Sequence, residues 1–140
     1  MDDFISYIEQ SVSERPGTLE TGQYNCTLKR VKFYDTPFPK ARFYFEYDGA
    51  VYCAEAPITK RDGSKNLRSV KIISTVLMSN RNWLEEAKHL QNQYKEKGID
   101  RVPTFDVLSS KTLDLDVIAT IETCHSSEYK NSYLIDLKVL

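Results

Sequence analysis

Arg30, Lys32 and Tyr34 follow one another at a spacing of two, and Arg42 and Tyr44 repeat that spacing a few residues later. Phe38 and Lys40 lie in the stretch between them. In extended chain, side chains two apart share a face, so each set reads as a row of cations ending in a ring. Cations neutralise phosphates and rings stack on bases, and the combination suits single-stranded nucleic acid. A second basic group, Lys60, Arg61, Lys65 and Arg68, follows, and His125, Tyr129, Lys130 and Asn131 gather in a polar segment near the C-terminus. The competing reading is plain. Tyrosine favours strands for reasons of β-propensity, and Lys or Arg beside it ordinarily serves solvation.

Other chemistries leave weaker traces. The chain has no phosphate-binding glycine loop, no dinucleotide fingerprint, no H-E-x-x-H and no G-x-S-x-G. Its two histidines, His89 and His125, fall on a helix-like segment and in a polar turn, where exposed polar roles suffice. Asp114, Asp116 and Glu122 alternate with apolar residues and could hold magnesium for a nuclease, but a solvent-facing strand side has the same pattern. No catalytic constellation, cofactor or metal is implied. Cys26, Cys53 and Cys124 are odd in number and far apart, against both a disulfide framework and a cysteine zinc site.

The 140 residues suffice for one domain with a core, and the formal net charge is −1. That neutrality conceals an asymmetry. Residues 29 to 71 hold ten basic and five acidic side chains, a local charge of +5, and the rest carries −6. Such a separation focuses a positive field on one part of the surface. No apolar run is long enough to span a bilayer, and the acidic start MDDFISYIEQ is unlike a signal peptide. The expected location is the cytoplasm, with reduced thiols.

These residues must be positioned by strands. Residues 2–13 read as a short amphipathic helix, ended by Pro16-Gly17. In residues 23–34, Tyr24, Cys26 and Leu28 alternate, the phase slips at Lys29-Arg30, and Val31 and Phe33 resume it. One extra residue of this kind is a β-bulge that bends the strand. Strands 42–47 and 50–56 flank Asp48-Gly49, a type I′ hairpin turn pairing Tyr47 with Ala50, Phe45 with Tyr52, Phe43 with Ala54 and Arg42 with Glu55. Tyr44 then faces away from the core.

A helical stripe of Leu67, Val70, Ile73 and Leu77 follows, in a run β-branched enough to leave a strand open. A second helix carries Trp83, Ala87, Leu90 and Tyr94, capped by Ser79 or Asn80 and ended at Gly98. The last strands are 113–123 and 132–140; in the latter Tyr133, Ile135, Leu137 and Val139 are expected inside and Leu134 outside. The fold class is mainly β with a helical insertion: a five-stranded OB-fold-like barrel with its helix between strands 3 and 4. Residues 1–17 form an N-terminal helix and turn, and 18–140 the single domain.

The stretches TLETGQYNCTLKRVKFYD, RFYFEYDGAVY and LDVIATIETCHSSEYKNSYLIDLKVL resemble the phage-encoded single-stranded DNA-binding proteins of the OB-fold type. The likeness rests on Gly22-Gln23-Tyr24 at a strand start and on Lys130-Asn131-Ser132-Tyr133 in the last hairpin; the acidic tail of many such proteins is not matched at Leu140. The resemblance implies binding of single-stranded DNA with little sequence preference, in phage-type replication or recombination within a bacterial host. Arg30, Lys32, Lys40 and Arg42 are then expected to track phosphates, with Lys60, Arg61 and Lys130 adding charge. Tyr34, Phe38, Tyr44 and Tyr129 are expected to stack. The alternative is a protein-interaction module, such as a phage-encoded inhibitor of a host enzyme, suited by an exposed Val51 and Leu134. An apolar final strand also leaves room for a homodimer.

Overall fold

The computed structural model describes residues 17–35, 38–125 and 130–140. The helix expected at 2–13 lies outside them, as do Tyr129 and the side chain of Lys130. Five strands, β1 (Gly22–Tyr34), β2 (Lys40–Tyr47), β3 (Ala50–Pro57), β4 (Leu115–His125) and β5 (Lys130–Val139), form a barrel. It closes in the order β1-β2-β3-β5-β4 and is OB-like. Three helices, α1 (Leu67–Leu77), α2 (Arg81–Lys97) and α3 (Pro103–Ser109), lie between β3 and β4 in the chain. Helix α1 packs on β5, α3 on β1, and α2 on α3.

The bend in β1 is built as the phase slip predicts. Residues Gly22 to Leu28 pair with β4, Thr27 to Tyr34 pair with β2, and the register shifts between Leu28 and Arg30. Lys29 is the extra residue; its carbonyl accepts from the Leu113 N–H at 2.8 Å, and its ammonium pairs with Asp114 at 2.9 Å. The hairpin has the predicted pairs, with Asp48 (φ 51°) and Gly49 (φ 78°) supplying the positive φ values of the turn. Phe43 and Phe45 are fully buried with Leu28, Val31, Val117 and Ala119, while Tyr52 and Tyr47 pack on the core from its margin.

Two expectations fail, each for a physical reason. In β5, Ile121 pairs with Leu134 but Thr120 with Asp136, so Ile135 is an extra residue. This second bulge turns Leu134 and Leu137 both inward and leaves Tyr133 and Ile135 half-buried. Burial of Leu134 removes it from the surface invoked for a dimer or partner; Val51, at 50% exposure, stays there. In α1, the inward face is Ser69, Ile72, Ile73, Val76 and Leu77, whereas Leu67 and Val70 point to solvent. The run is helix, not strand. A third helix, α3, has no counterpart among the expected elements, although Pro103 occupies its first turn, where the missing N–H costs nothing.

The barrel has one weak seam. Strands β3 and β5 are parallel and meet at the single pair Glu55–Tyr133. Beside it, Gly17 forms a parallel bridge with Tyr52 and accepts from the Cys53 N–H at 3.1 Å. The Leu19 carbonyl then accepts from the hydroxyls of Thr123 and Ser132, which tie β4 and β5 to this stretch.

The β5 bulge makes a stability prediction. Leu134→Ala should cost about 2–5 kcal/mol, the range for a buried leucine, and Ile135→Ala less than half as much. Urea denaturation of both variants checks it; equal costs would contradict the bulge.

Candidate nucleic-acid interface

Register across β1, β2 and β3 sets the outer face in three rows. Arg30 lies beside Tyr44 and Tyr44 beside Cys53; Lys32 beside Arg42 and Arg42 beside Glu55; Tyr34 beside Lys40 and Lys40 beside Pro57. Six of the expected residues therefore share one sheet face. Rings and cations also meet on the diagonals, where cross-strand neighbours reach one another. The Lys32 ammonium sits 5.7 Å from the Tyr44 ring centroid, and the Arg42 guanidinium 4.8 Å from that of Tyr34. The phenol oxygens of Tyr34 and Tyr44 are 3.5 Å apart. Cation–π contacts of this kind are worth about 0.5–1 kcal/mol at exposed sites and hold each ring in place.

The charges on this face are not equivalent. Glu55 binds two cations at once, accepting from Arg42 at 2.8 Å and pairing with Lys40 at 3.4 Å. Side-chain exposures of 28% for Arg42, 13% for Lys40 and 23% for Glu55 mean that solvent ions screen this triad less than a surface pair. Burial opposes charge on Arg42, but its bonds with Glu55 and Tyr44 prevail and raise its pKa above the ordinary arginine value. Arg30 and Lys32 differ. Among the described residues neither has a carboxylate within ion-pair distance. They are the cations of the sheet face available to an anion, whereas Lys40 and Arg42 are partly neutralised already.

The face continues past its third row. Beyond the Lys40–Pro57 pair, the Ile58 N–H donates to the Pro39 carbonyl at 3.0 Å and extends the ladder. The chain then folds into a tight basic turn. Thr59 bridges Lys65, the Lys60 N–H donates to the Ser64 carbonyl at 2.8 Å, and Gly63 supplies a φ of 86°. The Asp62 carboxylate accepts from the Ser64 N–H and hydroxyl, which lowers its pKa and commits it inside the turn. Lys60 and Arg61 thus project from a defined loop. With Phe38, Pro57, Thr59, Asn66 and Tyr133 they line a cleft of about 590 Å³. Phe38 joins the two parts, since the Lys40 ammonium lies 5.3 Å from its ring.

Of the eleven expected site residues, nine fall on this joined surface: Arg30, Lys32, Tyr34, Phe38, Lys40, Arg42, Tyr44, Lys60 and Arg61. Lys130 enters the ladder opposite His125 through its backbone. Glu55, Asn66 and Tyr133 were not anticipated as site residues. Glu55 is legible as the partner of Arg42 in the hairpin register, but alternation through residues 132–140 puts Tyr133 in the core, and the β5 bulge takes it out. Among the described residues no group of three His, Cys, Asp or Glu side chains could hold a metal ion. Asp114 is engaged by Lys29, and Asp116 accepts from the Thr27 hydroxyl at 3.5 Å. Nor is any described helix long and apolar enough to cross a membrane. No protein-family model, curated protein or solved structure matches the chain.

Burial, aided by the Tyr34 hydroxyl and opposed by Arg42, pushes the Tyr44 phenol up to about 12 from 10.0. A raised acid pKa means that the unfolded chain gives up its proton first. The contribution of Tyr44 to stability is therefore complete below pH 10 and is lost as pH rises towards 12. Tyr44→Phe should flatten the stability decline over that window, as measured by urea denaturation at a series of alkaline pH values. An unchanged decline would contradict the half-buried phenol.

Proposed function

We propose that this protein binds single-stranded DNA with little sequence preference across the outer face of β1, β2 and β3. The observation that carries the reading is the continuous surface on which the rings of Tyr34, Tyr44 and Phe38 interleave with Arg30, Lys32, Lys60 and Arg61, cations with no carboxylate at ion-pair distance among the described residues. Rings accept any base by its π-face, and cations track phosphates without reading sequence. In OB-fold proteins the face of strands 2 and 3 and the loop joining strands 1 and 2 commonly serve oligonucleotides, and this surface occupies the corresponding region. Phage-type replication or recombination as the setting rests on the sequence resemblance. No reacting group is needed for this role.

A second reading, a protein-interaction module, is favoured by one observation. Leu67, Val70 and Met78 of α1 and its end are 73%, 37% and 62% exposed, apolar surface that nucleic acid would not use. Salt separates the two readings, because phosphate binding weakens steeply with salt and apolar docking does not.

The test is a set of binding titrations with labelled single-stranded, duplex and RNA oligomers at several salt concentrations. Tyr44→Ala should weaken single-strand binding by about 1–3 kcal/mol and leave the salt slope unchanged, since no phosphate contact is lost. Lys32→Ala should lower the slope by about one. Glu55→Gln should raise it, because Lys40 and Arg42 become available to phosphates. If Tyr44→Ala lowers the melting temperature and leaves binding intact, the outer tyrosines serve the sheet alone and the reading fails.

A further inference from the structure

The open sheet face suits a run of nucleotides, but the cleft beyond it has a different shape and a different chemistry. Its volume of about 590 Å³ falls in the range of small-molecule pockets, roughly 300–1,000 Å³. Its rings come from separate elements, Phe38 from the segment after β1 and Tyr133 from β5, and Pro57 adds a further apolar surface. Lys60 and Arg61 stand on a braced turn with no carboxylate at ion-pair distance among the described residues. The neighbouring carboxylate, Asp62, is held by Ser64. Asn66, which also lines the cleft, accepts from the Ser69 N–H through its side-chain oxygen. Phe38 is 44% exposed, a large ring left at the surface beside a cation rather than packed away.

We infer that this cleft is a pocket for one nucleotide, with the base against Phe38 and Tyr133 and the phosphate at Lys60 and Arg61. The inference rests on the nucleic-acid reading above and deepens it. A pocket of this kind makes one position of a bound strand distinct from the rest, and it gives free mononucleotides a site of their own. Because Phe38 touches Lys40, a nucleotide held here is continuous with a strand lying on the sheet.

The experiment uses the full chain and follows backbone amide shifts during titration with thymidine monophosphate, thymidine and inorganic phosphate. The monophosphate should bind about tenfold or more tightly than either fragment, because only it engages rings and cations together. Its shifts should centre on residues 57–66 and Tyr133. The double variant Lys60→Ala/Arg61→Ala should reduce its affinity to that of thymidine, and Phe38→Ala to that of phosphate. Tyr44→Ala should leave it unchanged while weakening oligomer binding. All these side chains are exposed or half-exposed, and circular dichroism confirms folding of each variant. Monophosphate binding no tighter than phosphate, or unaffected by the Lys60/Arg61 and Phe38 variants, overturns the pocket. If oligomers bind and the monophosphate does not, the pocket falls and the sheet-face reading stands; the reverse result keeps the pocket and removes the strand-binding reading.

Discussion

One inserted residue, Lys29, determines which side chains the first strand shows to solvent. Before it, Cys26 and Leu28 point inward and pair toward β4; after it, Val31 is the buried residue and the strand pairs with β2. Paired in strict alternation with no bulge at Lys29, the same sequence would carry the inward phase on to Arg30 and Lys32. Two cations would enter the barrel and Val31 would leave it, an arrangement no core tolerates unless the charges are paired. The bulge therefore does two things at once. It bends one strand so that it serves both sides of a closed barrel, and it places Arg30, Lys32 and Tyr34 in one outer row.

The chemistry of that face follows from which charges the fold has already used. Glu55 neutralises part of Lys40 and Arg42 and keeps the guanidinium against Tyr34. Lys29 is likewise occupied, by Asp114 and Glu46. The remaining cations are those on the bulged strand and on the Thr59–Lys65 turn. Local excess charge in the sequence is thus an upper bound on what a polyanion can engage, since half of the anticipated phosphate-tracking set, Lys40 and Arg42, is already paired with Glu55.

Legibility in the sequence tracked how tightly local geometry constrains the alternatives. Asp48-Gly49 leaves a two-residue hairpin one register, so every pair from Tyr47–Ala50 to Arg42–Glu55 could be named in advance. The first bulge was visible because charged Lys29-Arg30 interrupts an apolar alternation. The second was not, because Leu134 and Ile135 are both apolar and a phase slip between them leaves no trace. Its consequence reached the site, since it moved Tyr133 from the expected core to the rim of the cleft. In α1 the run VKIISTVL is apolar on most sides, and the inward face was set by packing on β5, which periodicity does not contain. The cleft itself joins Phe38, Lys60 and Tyr133, residues far apart in the chain, and only the closed barrel brings them together.

Mapping amide shift changes of the whole chain on addition of a short single-stranded thymidine oligomer tests the central claim most directly. The account predicts changes concentrated at residues 30–34, 38–44 and 57–66, weakening as salt is raised. Changes centred on the exposed side of α1 around Leu67, Val70 and Met78, or none at low salt, would contradict it.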